Sequence, residues 1–159
     1  MFARVLFATV MVAFLGNVGP VSATEKAPPP PRATYEQTKV FVDEAVAFFK
    51  KTAPEKAFAA FNDPKGRWVR NDLYVFAFDQ KGVYMATGYR PERTGSNAWT
   101  MTDYAGLLVV QEIIRKANKD SSGLVDYLWK NPVTGKLENK TSYVVKVGDY
   151  ILGAGFYHQ

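Results

Sequence analysis

Between residues 35 and 51, Phe41, Ala45 and Phe48 fall on one stripe at helical spacing, and Val42, Val46 and Phe49 widen it. Glu36, Lys39, Asp43 and Lys50 fall opposite, so the pattern predicts an amphipathic helix over 35–51. Thr52-Ala53-Pro54-Glu55 then has the form of a capping box with proline in the first turn, which predicts a second, short helix burying Ala57, Phe58 and Phe61. Residues 73–78 change the period: Leu73-Tyr74-Val75-Phe76-Ala77-Phe78 is unbroken apolar and aromatic sequence. Such a run predicts a strand covered on both faces. Asp79-Gln80-Lys81-Gly82 closes it as a tight turn, with Gly82 free to take a positive φ, and 83–86 returns as the next strand.

Residues 87–103 are polar and contain Gly88 and Gly95, a loop long enough to suggest a role of its own. Thr102 or Asp103 is placed to cap a following helix over 104–119, with Leu107, Val110, Ile114 and Ala117 on one face and Leu108 and Ile113 beside them. Strands are expected at 124–129, 138–147 and 150–157, joined by turns at Asn131-Pro132-Val133-Thr134-Gly135-Lys136 and Gly148-Asp149. About five short strands joined mainly by tight turns predict one antiparallel sheet with helices packed on it, an α+β architecture.

The N-terminus reads differently. Arg4 precedes an apolar run over 5–15, and Val21-Ser22-Ala23 follows a Gly19-Pro20 break. That is the form of a secretory signal peptide over 1–23, cleaved after Ala23; the alternative, a retained anchor, has too short an apolar run to span a bilayer comfortably. Pro28-Pro29-Pro30-Pro31 marks 24–33 as a stiff proline-rich linker. The expectation is a periplasmic or secreted protein, not itself membrane-spanning after cleavage, with a single domain over 34–159. The 159 residues carry 47% hydrophobic and 22% charged side chains, which suits one globular domain. The formal charge of +5 comes from mixed acids and bases without a lysine–arginine block, so it predicts no nucleic-acid partner.

Several pieces together resemble a known family. They are Arg67-Trp68-Val69-Arg70-Asn71-Asp72-Leu73-Tyr74-Val75-Phe76 with Asp79-Gln80-Lys81-Gly82, and Gly123-Leu124-Val125-Asp126-Tyr127-Leu128-Trp129 with the Asn131–Lys136 turn. Lys140-Thr141-Ser142-Tyr143-Val144 and the run from Gly148 to Tyr157 follow in the same order. In order and spacing the chain resembles a single Cache domain of the sCache_2 kind over roughly residues 35–157. The resemblance implies a PAS-like fold with a long N-terminal helix, an extracytoplasmic location and a small organic ligand. It also implies a separate membrane-bound sensor or transporter as partner.

Catalytic chemistry finds little support in the composition. There is no cysteine, and the single histidine, His158, stands beside the C-terminus. Neither a histidine-based triad nor a cluster of metal ligands can be assembled from that spacing, so no cofactor and no enzymatic activity are expected. A binding pocket needs aromatic walls and a few convergent polar groups. Alternation places Tyr74 and Phe76 on one face, and Tyr127 and Trp129 on one face, while Lys140 and Ser142 share a face opposite to Tyr143. The loop adds Tyr89, Arg93 and Trp99. The candidate ligand-binding set is therefore Tyr74, Tyr89, Arg93, Trp99, Asp103, Tyr127, Lys140 and Tyr143.

A small carboxylate is the favoured ligand, neutralised by Arg93 or Lys140 and oriented by a tyrosine hydroxyl. A cationic amine would instead want Asp103 or Asp126 with an aromatic cage. Each residue has a plainer reading: Phe76 and Trp129 as core, Lys140 as a surface lysine, Arg93 as a solubilising loop charge, Gly153 and Gly155 as close-packing glycines. The alternative function is a structural or protein-interaction module on the same fold, its pocket filled by Tyr74, Phe76, Tyr127 and Trp129.

Overall fold

The computed structural model describes residues 31–158. The expected signal peptide over 1–23 and most of the expected proline-rich linker over 24–33 lie outside the described residues. The last linker residues are anchored, because the Arg32 guanidinium makes a two-pronged bond to Glu138, at 2.5 and 3.1 Å, and donates to the His158 carbonyl at 2.8 Å.

The first helix, α1 (Tyr35–Lys51), has the predicted bounds and buries Phe41, Val42, Ala45 and Phe49. Its start is fixed by a reciprocal cap: Thr34 Oγ1 accepts from the Gln37 amide, and Gln37 Oε1 accepts from the Thr34 amide. The capping box expected at Thr52–Glu55 does not form. Thr52 instead closes α1, its amide donating to Phe49, so α2 (Pro54–Phe61) starts from Ala53 without a side-chain cap and with Pro54 in its first turn.

The run 73–78 is buried throughout but is not one strand. β1 (Val69–Arg70) and β2 (Leu73–Tyr74) make a small hairpin whose turn holds Asn71 at φ 55°, and β3 (Phe76–Asp79) enters the main sheet after Val75. The turn to β4 (Tyr84–Thr87) is built as expected: Asp79 Oδ1 accepts from the Lys81 and Val83 amides, and Gly82 has φ 78°. β5 (Ser122–Lys130), β6 (Leu137–Val147) and β7 (Tyr150–Tyr157) complete an antiparallel sheet in the order β4-β3-β7-β6-β5.

α3 (Val109–Asp120) begins five residues later than the periodicity suggests. Asp103 caps no helix. Its Oδ1 accepts from the Ala105 and Leu107 amides at 2.8 Å each, and Gly106 at φ 89° turns the chain away from helical geometry. Leu107 and Leu108, expected on the buried helix face, are consequently exposed, and Val109, Val110, Ile113, Ile114 and Ala117 make that face. The described residues therefore form an α+β domain with a PAS-like layering, three α-helices on a five-stranded sheet with the β1–β2 hairpin beside it. α1 and α2 cover one face of the sheet; α3 and the loop after β4 cover the other.

Candidate functional site

The loop after β4 folds back along that strand rather than hanging free. Tyr84 and Gly95 are joined by a 2.8 Å backbone bond, Tyr84 also donates to Ser96, and Val83 bridges to Asn97. A single 3-10 turn, Pro91–Arg93, lies in this return. The fold-back holds Tyr89, Arg90 and Arg93 above the face of the sheet that α3 covers, and Met101 completes the wall.

Between these elements lies a cavity. The sheet contributes Tyr74, Phe76, Phe78, Tyr84, Thr87, Tyr127 and Trp129; α3 contributes Val109, Val110 and Ile113. About 450 Å³ of atom-free space lies there, part of it open to solvent, and only about 40 Å³ is wide enough for the centre of a water molecule. That is room for a few waters or a very small organic molecule in this conformation. The lining carries two guanidiniums and no carboxylate. Arg90 is paired with Glu92 at 2.9 Å, whereas Arg93 makes no ion pair among the described residues and rests its Nη1 3.3 Å from Met101 Sδ.

The phenols of Tyr74, Tyr84 and Tyr127 are held protonated. Burial raises the pKa of Tyr74, Tyr84 and Tyr127; at Tyr84 the nearby Arg93 offsets part of the effect. Tyr127 shares a 2.7 Å hydrogen bond with Ser142, and the Tyr74 ring stacks obliquely on Tyr89 with centroids 5.5 Å apart.

Of the eight sequence candidates, the structure brings Tyr74, Tyr89, Arg93 and Tyr127 together around the cavity. Lys140 sits one layer behind it. The side chain is 1% exposed and its Nζ donates to Tyr74 Oη at 3.0 Å. The reading of Lys140 as a surface lysine is thereby corrected. Trp99 is 40% exposed on a shallow groove along α3, where its carbonyl accepts from Gln111. Asp103 is buried but fully engaged, its Oδ2 accepting from the Leu128 amide at 2.9 Å. Tyr143 lies on the opposite face of the sheet, packed toward α1 under the Lys39 ammonium.

Arg90, Tyr84 and Met101 line the cavity without having been singled out in the sequence. Arg90 stands three residues before Arg93 across the 3-10 turn, a spacing that puts both on one side of such a turn and was available as a signal. Trp129 and Phe76, read as core, also face the cavity.

Comparison with known proteins agrees with this geometry. Residues 35–159 match the single Cache domain 2 family, sCache_2. The sensor histidine kinase MctS of Rhizobium johnstonii is 34% identical over 88 residues, which is 54% of this chain and 19% of that protein. The chain thus spans about a fifth of the length of that relative. Among solved structures, a Cache chemosensory domain described for its carboxylic acid recognition is 26% identical, with a TM-score of 0.64 over 78% of this chain and 92% of that one. A methyl-accepting chemotaxis protein from Vibrio parahaemolyticus shares the fold, with a TM-score of 0.67 at 22% identity over 77% of this chain and 86% of that one. Single Cache domains are extracytoplasmic sensor domains that bind ligands, and no described helix here is long and apolar enough to cross a membrane. With its long N-terminal helix, five-stranded antiparallel sheet and aromatic cavity under α3, the chain belongs to the single Cache domain 2 family of sensor domains.

Proposed function

We propose that the chain is exported by its N-terminal segment and binds a small carboxylate in the cavity beneath α3. The observation that carries this reading is the charge of the lining: Arg90 and Arg93 at the rim, no acid, and neutral phenols pointing inward. Arg93 has its planar donors uncommitted to any carboxylate of the described chain, and a guanidinium binds a carboxylate through two parallel bonds. Tyr89 and Trp129 would close over the apolar body. The small free volume limits that body to a few carbon atoms unless the loop or α3 moves aside. Likeness to a carboxylic-acid-recognising Cache domain and to a sensor kinase supports the ligand class and a membrane-bound signalling partner.

The test is a thermal-shift screen of short carboxylates against amines of similar size. A carboxylate present at about a hundred times its Kd should add about 2.7 kcal/mol of stability. Arg93→Ala should lose the shift while its own unliganded melting temperature stays within about a degree, since a half-exposed loop side chain costs little to remove. A shift from amines alone would refute the carboxylate. The narrowness of the cavity favours one second reading, an interaction module whose pocket its own rings fill, and silence across the whole screen would support it.

A further inference from the structure

We propose, resting on the carboxylate reading above, that each anion bound in the cavity brings one proton with it, and that the proton is held on Nζ of Lys140 behind the hydroxyl of Tyr74. Lys140 is the middle residue of a cross-strand row, opposite Tyr127 on β5 and Tyr157 on β7. Its ammonium lies 4.1 Å from the Tyr74 ring centre and 4.8 Å from that of Tyr157. The fold makes room for the stem, because a Cβ at position 155 would fall 2.5 Å from Lys140 Cε, and that position is glycine. A long cationic side chain has therefore been fitted into an aromatic box.

The box leaves the cation undercompensated. Among the described residues Lys140 enters no ion pair, and its one hydrogen bond goes to a phenol, although an ammonium has three donors. Removing the charge from water without a counter-charge is costly, and burial pulls the lysine pKa down from 10.5 to about 7; Asp72 opposes this without cancelling it. Tyr74 Oη accepts from Lys140, and the Tyr157 and Trp129 side chains also bond to it, while its own O–H donates to no described residue and Tyr74 lines the cavity. A carboxylate bound to that O–H lies one phenolic oxygen from Nζ and supplies the missing negative charge. It favours the charged lysine, and by reciprocity the proton favours the anion.

The groups facing Lys140 leave few other carriers for the proton. Tyr74, Tyr127 and Tyr157 are kept protonated by burial. Tyr84 is kept protonated likewise, and with Tyr89 it stands at the cavity wall beside Arg90 and Arg93. Asp72, its pKa raised by burial, and Arg32, which acts on it, lie toward the N-terminal segment. Across an open groove at the other end of Lys140 stand Asp103, Asp126 and His158. Asp103 is bonded to backbone amides, and Asp126 accepts from Thr141, which also bonds the His158 ring. Asp72, buried and acting on Lys140 through its charge, and His158 are thus the groups to be separated by mutation.

The experiment is titration calorimetry of the full chain with acetate, propionate and pyruvate, in paired buffers of different ionisation enthalpy at about pH 6 and about pH 8. We expect close to no proton taken up per anion at the lower pH, about one at the higher, and a Kd that rises roughly tenfold per pH unit above about 7. His158→Asn and Asp72→Asn should each keep the uptake, and Lys140→Met should abolish it. Binding without proton uptake at pH 8 in the unmodified protein overturns the inference and leaves the carboxylate reading intact, and this result does not depend on any variant folding. Uptake that survives in Lys140→Met, or vanishes in His158→Asn or Asp72→Asn, places the proton elsewhere and also overturns it. No binding of any of the three acids at either pH removes both.

Discussion

Against α1 and α2 the sheet buries mainly phenylalanine and tryptophan rings that pack on one another; against α3 it buries three tyrosines among its rings. On the first face Trp68 is met by Phe41, Phe48 and Phe61 with centroids 5.2–5.7 Å apart, and Phe49, Phe58 and Tyr150 form a second group. On the second face the buried residues include Tyr74, Tyr84, Tyr127, Ser142 and Lys140. Rings without polar atoms close on each other until no gap remains. A buried phenol must reach a partner, which fixes its position and stops the surrounding elements from collapsing onto it. The cavity lies on the hydroxylated face, and the difference teaches that one sheet can be a foundation on one side and a binding wall on the other.

The strongest way to break the comparison is to cut into the foundation. Trp68→Ala should cost about 3–5 kcal/mol of folding stability, the usual range for losing a buried aromatic ring. Carboxylate affinity of the molecules that still fold should stay within about twofold. Urea unfolding together with calorimetry at low temperature checks both halves. A large affinity loss without a stability loss would show that the two faces are not independent.

Lys140→Met acts on the other face with the opposite sign. Replacing an undercompensated buried cation by an apolar chain of similar length is expected to stabilise the protein by about 1–4 kcal/mol at neutral pH. The sign with pH follows from the depressed lysine pKa. Between about 7 and 10.5 the unfolded chain holds a proton that the folded chain has lost, so stability of the unmodified protein rises with pH across that window. The slope approaches about 1.4 kcal/mol per pH unit and should be absent in Lys140→Met. Denaturant midpoints at several pH values between those limits provide the measurement.

Asp103→Ala gives a smaller effect in the connection that carries the chain into α3. Burial pushes this carboxyl up, but the amides of Leu128, Leu107, Ala105 and Gly106 outweigh it and hold its pKa below the usual value. The bonds it accepts should be worth about 1–3 kcal/mol, present at neutral pH and lost as pH falls through the carboxyl's own titration. Unfolding at neutral pH and again in acid should show the difference from the unmodified protein shrinking in acid.

Much of the foundation was legible in the sequence, because helical and strand periods are written by many side chains at once, although the expected cap of α2 and the single strand over 73–78 did not form. α1 and β7 have the bounds that the pattern predicts. The start of α3 was not legible, since one carboxylate and one left-handed glycine outweighed five residues of apolar periodicity. Half of the candidate set lines the cavity: alternation supplied Tyr74 and Tyr127 and the loop supplied Tyr89 and Arg93, but Tyr143 stayed in the set although alternation turned it away from Lys140 and Ser142. What it left open depends on distances across the chain. The burial of Lys140 is set by residues 74, 127, 155 and 157 together, and no local pattern around position 140 announces it.

Tyr143 and Tyr127 sharpen the comparison most finely, because the two are tyrosines on adjacent strands of one sheet that face opposite ways. Tyr143 is partly exposed beside α1, with the Lys39 ammonium 5.5 Å from its ring, so removing its hydroxyl takes nothing from the core. Tyr143→Phe should therefore leave stability within about 0.5 kcal/mol and carboxylate affinity within about twofold. Tyr127→Phe removes as little matter but leaves Ser142 without its buried partner, at a cost of about 1–2 kcal/mol, and takes a polar head from the cavity wall. Thermal melts and calorimetry on the pair would decide the point, and an affinity loss in Tyr143→Phe as large as in Tyr127→Phe would move the binding site to the α1 face.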